Sequence, residues 1–216
     1  MAIADAPRCR LYLTTPPELV SGGVRLHDFL ARFEPALGGA DIACLLIDAP
    51  GDARDDAIAE IARPLNDIAQ VRGIATLLPA RVALAQQLGA DGVHLDLRTL
   101  DESAALRAYR DARKALGTDT IVGALCPAGR HMAMELAELD ADYVGFALDA
   151  AETPELIAWW AEVMNTPCVA FSAAEPDQAR GLAESGADFI AVPAALWSAP
   201  DPTGQLERLQ AAIRSG

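Results

Sequence analysis

The chain has no surplus of positive charge. Its 31 acidic residues stand against 17 basic ones, a formal charge of −14. A nucleic-acid binder needs a basic stripe, and none is visible, so no nucleic-acid partner is expected. No apolar run approaches the length of a membrane span, so no membrane partner is expected either. Residues 1–9, MAIADAPRC, carry no apolar core of the signal-peptide kind, and a cytoplasmic location is expected. The four cysteines, Cys9, Cys44, Cys126 and Cys168, show no metal-binding or redox spacing. All but Cys9 sit in apolar runs, as reduced buried thiols do. There is no G-x-S-x-G, P-loop, G-x-G-x-x-G or H-E-x-x-H signature, so four common chemistries are without their motif. No linker rich in Pro, Gly or Ser divides the chain. A single domain over residues 1–216 is expected, with residues 1–9 as an N-terminal extension.

What is present is a repeat. GADIACLLID from Gly39, GADGVHLDLR from Gly89, DADYVGFALD from Asp140 and GADFIAVPAA from Gly186 each place Ala-Asp before a short apolar run. Their aspartates, Asp41, Asp91, Asp142 and Asp188, recur every 46 to 51 residues, room for two strand–helix units. Between them lie RLYLTT from Arg10, GIATLLP from Gly73, DTIVGALCP from Asp119 and PCVAFSA from Pro167. Short, continuous apolar runs suit parallel strands covered on both faces. The intervening segments carry apolar residues on one face and read as helices, for example Ala57 to Val71 and Ser103 to Leu116, with a weaker pattern from Val24 to Leu37. Asp101 and Thr153 read as helix starts. Gly89, Gly117 and Gly186 read as helix stops. Alternation of this kind implies a parallel sheet, and the two-unit repeat favours closure into a (β/α)8 barrel over an open doubly wound sheet.

Barrel sites lie at the C-terminal ends of the strands. In this reading the repeat aspartates belong to the opposite, structural face, while Asp96 stands at the active one. Asp48, Arg81, His94, Asp96, Cys126 and Asp149 are the ligand-pocket candidates. His94 and Asp96 are two apart, so they share a face and form either a base–carboxylate pair or, for His94, a residue held in the barrel wall. Asp48, Asp96 and Asp149 all end even strands, either as a hard-cation site or as solvated loop carboxylates. His131 and Glu135 read as a surface pair, and Arg107, Arg110, Arg113 and Lys114 as a solvated basic face. Of Trp159 and Trp160, one packs inward and the other does not.

The order of motifs resembles a known family. LYLTT, LLPARVALAQQLGADGVHLD, VGALCP, ADYVGFA and GADFIAVPAAL look like thiamine phosphate synthase, with the thiazole tautomerases as relatives, from about Arg10 to Leu196. The resemblance implies a (β/α)8 barrel, a homodimer, and magnesium-assisted coupling of a pyrimidine pyrophosphate to a thiazole phosphate. It also implies where the site residues fall. The family's Gln-x-Arg-x-Lys of strand two meets Cys44, Leu46 and Asp48. Its Asn-Asp-Arg after strand three meets Pro79, Ala80 and Arg81. Its Gly-Gln after GVHL meets Asp96 and Leu97, and its magnesium-binding Asp there meets Thr99. Its strand-five Ser falls near Leu125. By family position, Ser172, Ala173 and Ala194 would hold phosphate. Most pyrophosphate-binding residues are therefore replaced, and the magnesium ligands are absent, so no cofactor is expected. A tautomerase would need its His near Cys126 or Pro127, and His131 comes later.

Three functions follow as alternatives: a barrel enzyme of changed chemistry, a non-catalytic binding or regulatory barrel, and a carboxylate–metal enzyme built on Asp48, Asp96 and Asp149. The expected partner is a small molecule, such as a phosphate ester. A mouth filled by Leu46, Leu97 and Leu125 would favour the second, an open polar pocket the first.

Overall fold

The computed structural model describes residues 9–127, 129–147, 153–171 and 175–215. The strands are β1 (Arg10–Thr14), β2 (Ile42–Leu46), β3 (Ala75–Pro79), β4 (Gly92–Asp96), β5 (Ile121–Leu125), β6 (Tyr143–Ala147), β7 (Cys168–Phe171) and β8 (Phe189–Val192). All neighbours pair in parallel, and β8 returns to β1, so the sheet closes in chain order. Around it run α1 (Glu18–Ser21), α2 (Leu26–Ala36), α3 (Asp55–Gln70), α4 (Val82–Leu88), α5 (Glu102–Leu116), α6 (Arg130–Glu138), α7 (Thr153–Val163), α8 (Pro176–Glu184) and α9 (Pro202–Arg214). The expected (β/α)8 barrel is the observed one.

Side-chain alternation divides the apolar residues into two clusters. The larger lies between strands and helices and takes Leu11 and Leu13, Leu45 and Ile47, Val93 and Leu95, and Val144 and Phe146. The smaller fills the ring itself with Tyr12, Cys44, Leu46, Leu77, Tyr143, Val169 and Ala191. Successive residues of a strand face opposite sides, so a strand with both sides buried reads as an unbroken apolar run. The punctuation is also as expected. Asp101 caps α5 by accepting the Ala104 N–H at 2.8 Å. Gly89 ends α4 at φ 62°, a conformation glycine adopts without Cβ strain. The weak helix expected from Val24 to Leu37 is α2, followed by a short 3-10 turn over Leu37–Gly39.

The repeat aspartates explain the two-unit period. Asp91 accepts the Thr76 N–H of β3 at 2.7 Å, Asp142 the Val122 N–H of β5 at 2.7 Å, and Asp188 the Cys168 N–H of β7 at 2.8 Å. Each even strand thus clips the start of the odd strand before it. Asp41 varies the theme: its carboxylate accepts from the Arg10 Nε at 2.7 Å, and the β1 backbone N–H of Leu11 goes to its carbonyl instead. Of the basic face expected on α5, Arg107, Arg110 and Lys114 are exposed, and Arg113 alone is corrected. Arg113 reaches past the helix end to the Gly117, Thr120 and Asp140 carbonyls and to the Asp142 carboxylate, and its side chain is only 17% exposed. A long side chain near a helix C-terminus finds unpaired carbonyls close by, which a periodicity reading cannot see. His131 pairs with Glu102 of α5 at 3.4 Å, not with Glu135. Trp160 is buried against Phe146, while Trp159 is half-buried beneath the Arg130 guanidinium at 4.3 Å. No helix among the described residues is long and apolar enough to cross a membrane.

Candidate functional site

The C-terminal ends of the strands surround a cavity of about 620 Å³, within the usual range for small-molecule sites. The inward phase of each strand decides what reaches it. On β4 the inward set is Gly92, His94 and Asp96, so the last two both line the cavity, as their spacing requires. On β2 the same phase carries Leu46 and Asp48 to the wall. Leu125 is inward on β5, so Cys126, one residue on, turns into the helix-facing core. The expectation for Cys126 is thereby corrected: it is 2% exposed and lines no part of the cavity, and burial pushes its thiol up to about 12. Leu97 is likewise in the outer core, and the cavity is not filled by Leu46 and Leu125. Ala194 lines the cavity, while Asp149, Ser172 and Ala173 lie outside the described residues. His131, on α6, is 69% exposed and takes no part in the cavity lining.

His94 is held, but by a side chain. Its Nδ1 lies 2.7 Å from the Tyr143 hydroxyl, which lies 3.0 Å from the Tyr12 hydroxyl. This hydrogen-bonded chain runs through the ring interior and is completely enclosed at Tyr12, which is 1% exposed. Glycines on the neighbouring strands make room for it. A Cβ on Gly123 would stand 2.0 Å from the Tyr143 ring, and one on Gly145 would stand 2.6 Å from Phe171. Sequence reasoning missed Tyr143 and Tyr12 as site residues. The available signal was the inward phase of the Gly123 and Gly145 positions, each of which leaves space for a neighbouring ring. Burial drives the His94 pKa down to about 4, against an opposing pull from Asp96, so the ring is neutral at pH 7.

Asp96 does not pair with His94. Arg98 takes both of its oxygens, Nε at 2.9 Å and Nη2 at 2.8 Å, and this hydrogen bonding holds the carboxyl below its usual range. Arg81 is presented by Ala80, which adopts a left-handed φ of 47° at the cavity lip. Its Nη2 donates to the Gly51 and Ala53 carbonyls at 2.9 and 3.0 Å, turning the fork toward the loop after β2. Asp48 is half-buried. Its backbone N–H donates to Thr15 Oγ1 at 2.9 Å, and one carboxylate oxygen accepts the Ala49 N–H at 2.9 Å. Desolvation raises its pKa, with Asp96 and Glu18 adding to the shift. The chain's one lysine, Lys114, sits on α5, so every cation lining the mouth is an arginine.

The magnesium implied by the resemblance can be tested against this donor set. Among the described residues no group of three His, Cys, Asp or Glu side chains could hold a metal ion. With Asp96 bound on both oxygens by Arg98, Asp48 is the remaining cavity carboxylate among the described residues. Magnesium keeps several waters and is commonly held by one or two carboxylates together with substrate phosphates, so the described residues offer it one carboxylate ligand, Asp48, and no all-protein cage.

Comparison with known proteins places the barrel. The family profile described as thiamine monophosphate synthase matches residues 11–196. The thiamine-phosphate synthase of Rhodospirillum centenum is 36% identical over 201 residues, covering 89% of this chain and 91% of that one. The thiamine-phosphate synthase of Erythrobacter litoralis is 37% identical over 211 residues, covering 92% of each. The thiamine phosphate pyrophosphorylase of Pyrococcus furiosus superimposes with a TM-score of 0.73 over 97% of both chains at 23% identity, a likeness of fold. Eight parallel strands closed in chain order, a cavity at their C-terminal ends and matches over most of the sequence lead to one assignment: the chain belongs to the thiamine monophosphate synthase family.

Proposed function

We propose that this barrel is a thiamine-phosphate-synthase-like protein whose cavity binds a small molecule, but which does not couple a pyrimidine pyrophosphate to a thiazole phosphate at an ordinary rate. One observation carries the reading: at the cavity mouth Asp48 and Asp96 offset Arg81 and Arg98, and both arginines are already engaged by protein groups. A pyrophosphate carries several negative charges and needs surplus cations or a metal. Near a surface each contact pair of charges is worth up to about 4 kcal/mol, so carboxylates facing the anion are a heavy penalty. The open cavity supports ligand binding; its charge balance argues against this particular ligand.

The test is direct. The purified protein is incubated with both substrates and magnesium, and pyrophosphate release is measured. No release above background is expected. Turnover at an ordinary enzymatic rate overturns the reading. Asp48→Lys changes the mouth by two charge units and is expected to bring measurable pyrophosphate binding where the unaltered chain has none.

A further inference from the structure

We propose that the ligand of this cavity carries a protonated nitrogen, an amidinium or an ammonium on a flat ring, and that Asp48 is its counter-ion. The inference rests on the reading above that the cavity is the ligand site. Asp48 lines the cavity, half-buried, and among the described residues no Arg, Lys or His lies within ion-pair distance of its carboxylate. Among the described residues its carboxylate accepts one hydrogen bond, from the Ala49 N–H 2.9 Å from Oδ1, and no described group bonds Oδ2. The other cavity carboxylate, Asp96, has Arg98 on both oxygens and is not available in the same way. A partly desolvated carboxylate without a cation is unfavourable until a partner supplies the charge. A cationic ligand entering the cavity would supply that charge in place of solvent.

The rest of the cavity gives the shape. The His94 and Phe171 rings lie 5.3 Å apart, both line the space, and Leu46 and Leu125 add apolar wall. His94 is bonded through Nδ1 to Tyr143, and among the described residues no protein group bonds its Nε2. A planar, partly apolar group with one cationic end matches this arrangement. A bare metal ion would make no use of the two rings or the apolar wall, and among the described residues Asp48 is the one cavity carboxylate that no arginine already holds.

The experiment uses the whole chain and two probes of equal shape, benzamidine and the neutral benzamide, titrated calorimetrically into the unaltered protein and into Asp48→Asn. Benzamidine is expected to bind at least about tenfold more tightly than benzamide to the unaltered protein, the lower end for a charge-assisted bond. In Asp48→Asn that advantage is expected to vanish. Asn keeps an acceptor for the Ala49 N–H, and a cooperative melting curve verifies that the variant is folded. Asp48→Glu, which keeps the charge, is expected to retain a preference for benzamidine. Equal affinities in the unaltered protein, or an advantage that survives in Asp48→Asn, overturn the inference. So does stabilisation by magnesium alone that Asp48→Asn abolishes. Inorganic pyrophosphate, titrated in parallel, separates the two readings: its tight binding overturns the proposed function, whereas its failure to bind together with equal probe affinities overturns only the present inference.

Discussion

The two ends of the barrel use aspartate in opposite ways. At the N-terminal end, Asp91, Asp142 and Asp188 each accept a backbone N–H of the preceding strand, and Asp41 holds Arg10. Their charge is consumed by the fold. At the C-terminal end, Asp96 is clasped by a neighbour two residues away, while Asp48 keeps an oxygen open to the cavity. One residue type is structural where it meets backbone donors that have no other partner. It becomes a binding group where the strands run out and the loops leave space.

Four measurements break or sharpen this contrast, taken from the largest expected effect to the smallest. The first concerns His94 at the cavity floor. Its folded pKa of about 4 lies below the ordinary 6.5, so the stability it contributes is complete above pH 6.5 and is lost as pH falls toward 4. The full loss amounts to about 3 kcal/mol. Denaturant unfolding at pH 7 and pH 4.5 is expected to show a smaller acid loss for His94→Gln than for the unaltered chain; equal losses would remove the case for a buried neutral imidazole.

Next comes the closed end. Asp142→Ala strips the Val122 N–H and Arg113 of their shared acceptor, with an expected cost of about 2–3 kcal/mol. For a chain of this length that lowers the melting temperature by roughly 4–12 °C. A neutral result would mean that the repeat aspartates do not clip the strands. Tyr143→Phe should cost about 1–2 kcal/mol, because it leaves His94 Nδ1 and the Tyr12 hydroxyl without their buried partner. A reduced acid sensitivity in this variant would tie the tyrosine to the His94 titration. The smallest change, and the one of opposite sign, belongs to Asp48→Asn. The folded-state pKa of Asp48 is raised, so its ionised form costs stability at pH 7, and that cost disappears as pH falls through the raised pKa. The variant is expected to melt slightly higher than the unaltered chain at pH 7, with the gain shrinking on acidification. A lower melting temperature would place Asp48 with the structural aspartates.

Much of this was open to a reading of the sequence. The eight apolar runs and the Gly-Ala-Asp punctuation locate every strand to within a few residues, because strands buried on both faces need continuous apolar side chains. Asp48, Arg81, His94 and Asp96 are also legible, since strand ends in a barrel converge on one mouth. Cys126 was misplaced by one residue of phase, which in a strand is the difference between cavity and core. Arg113 looked solvated because its acceptors come from a helix end and from two later loops.

Sequence alone determined the alternation of strands and helices and the strand ends on which a site would lie, because both follow from local periodicity and the direction of the chain, while closure rests on the pairing of β8 with β1. Only the tertiary structure decided which charges remain available there. Tyr12 and Tyr143 stand 131 residues apart yet share a hydrogen bond, and the open oxygen of Asp48 depends on where Arg81 and Arg98 turn. Pairing energies fall within a few ångströms, and only the folded chain fixes which groups come that close.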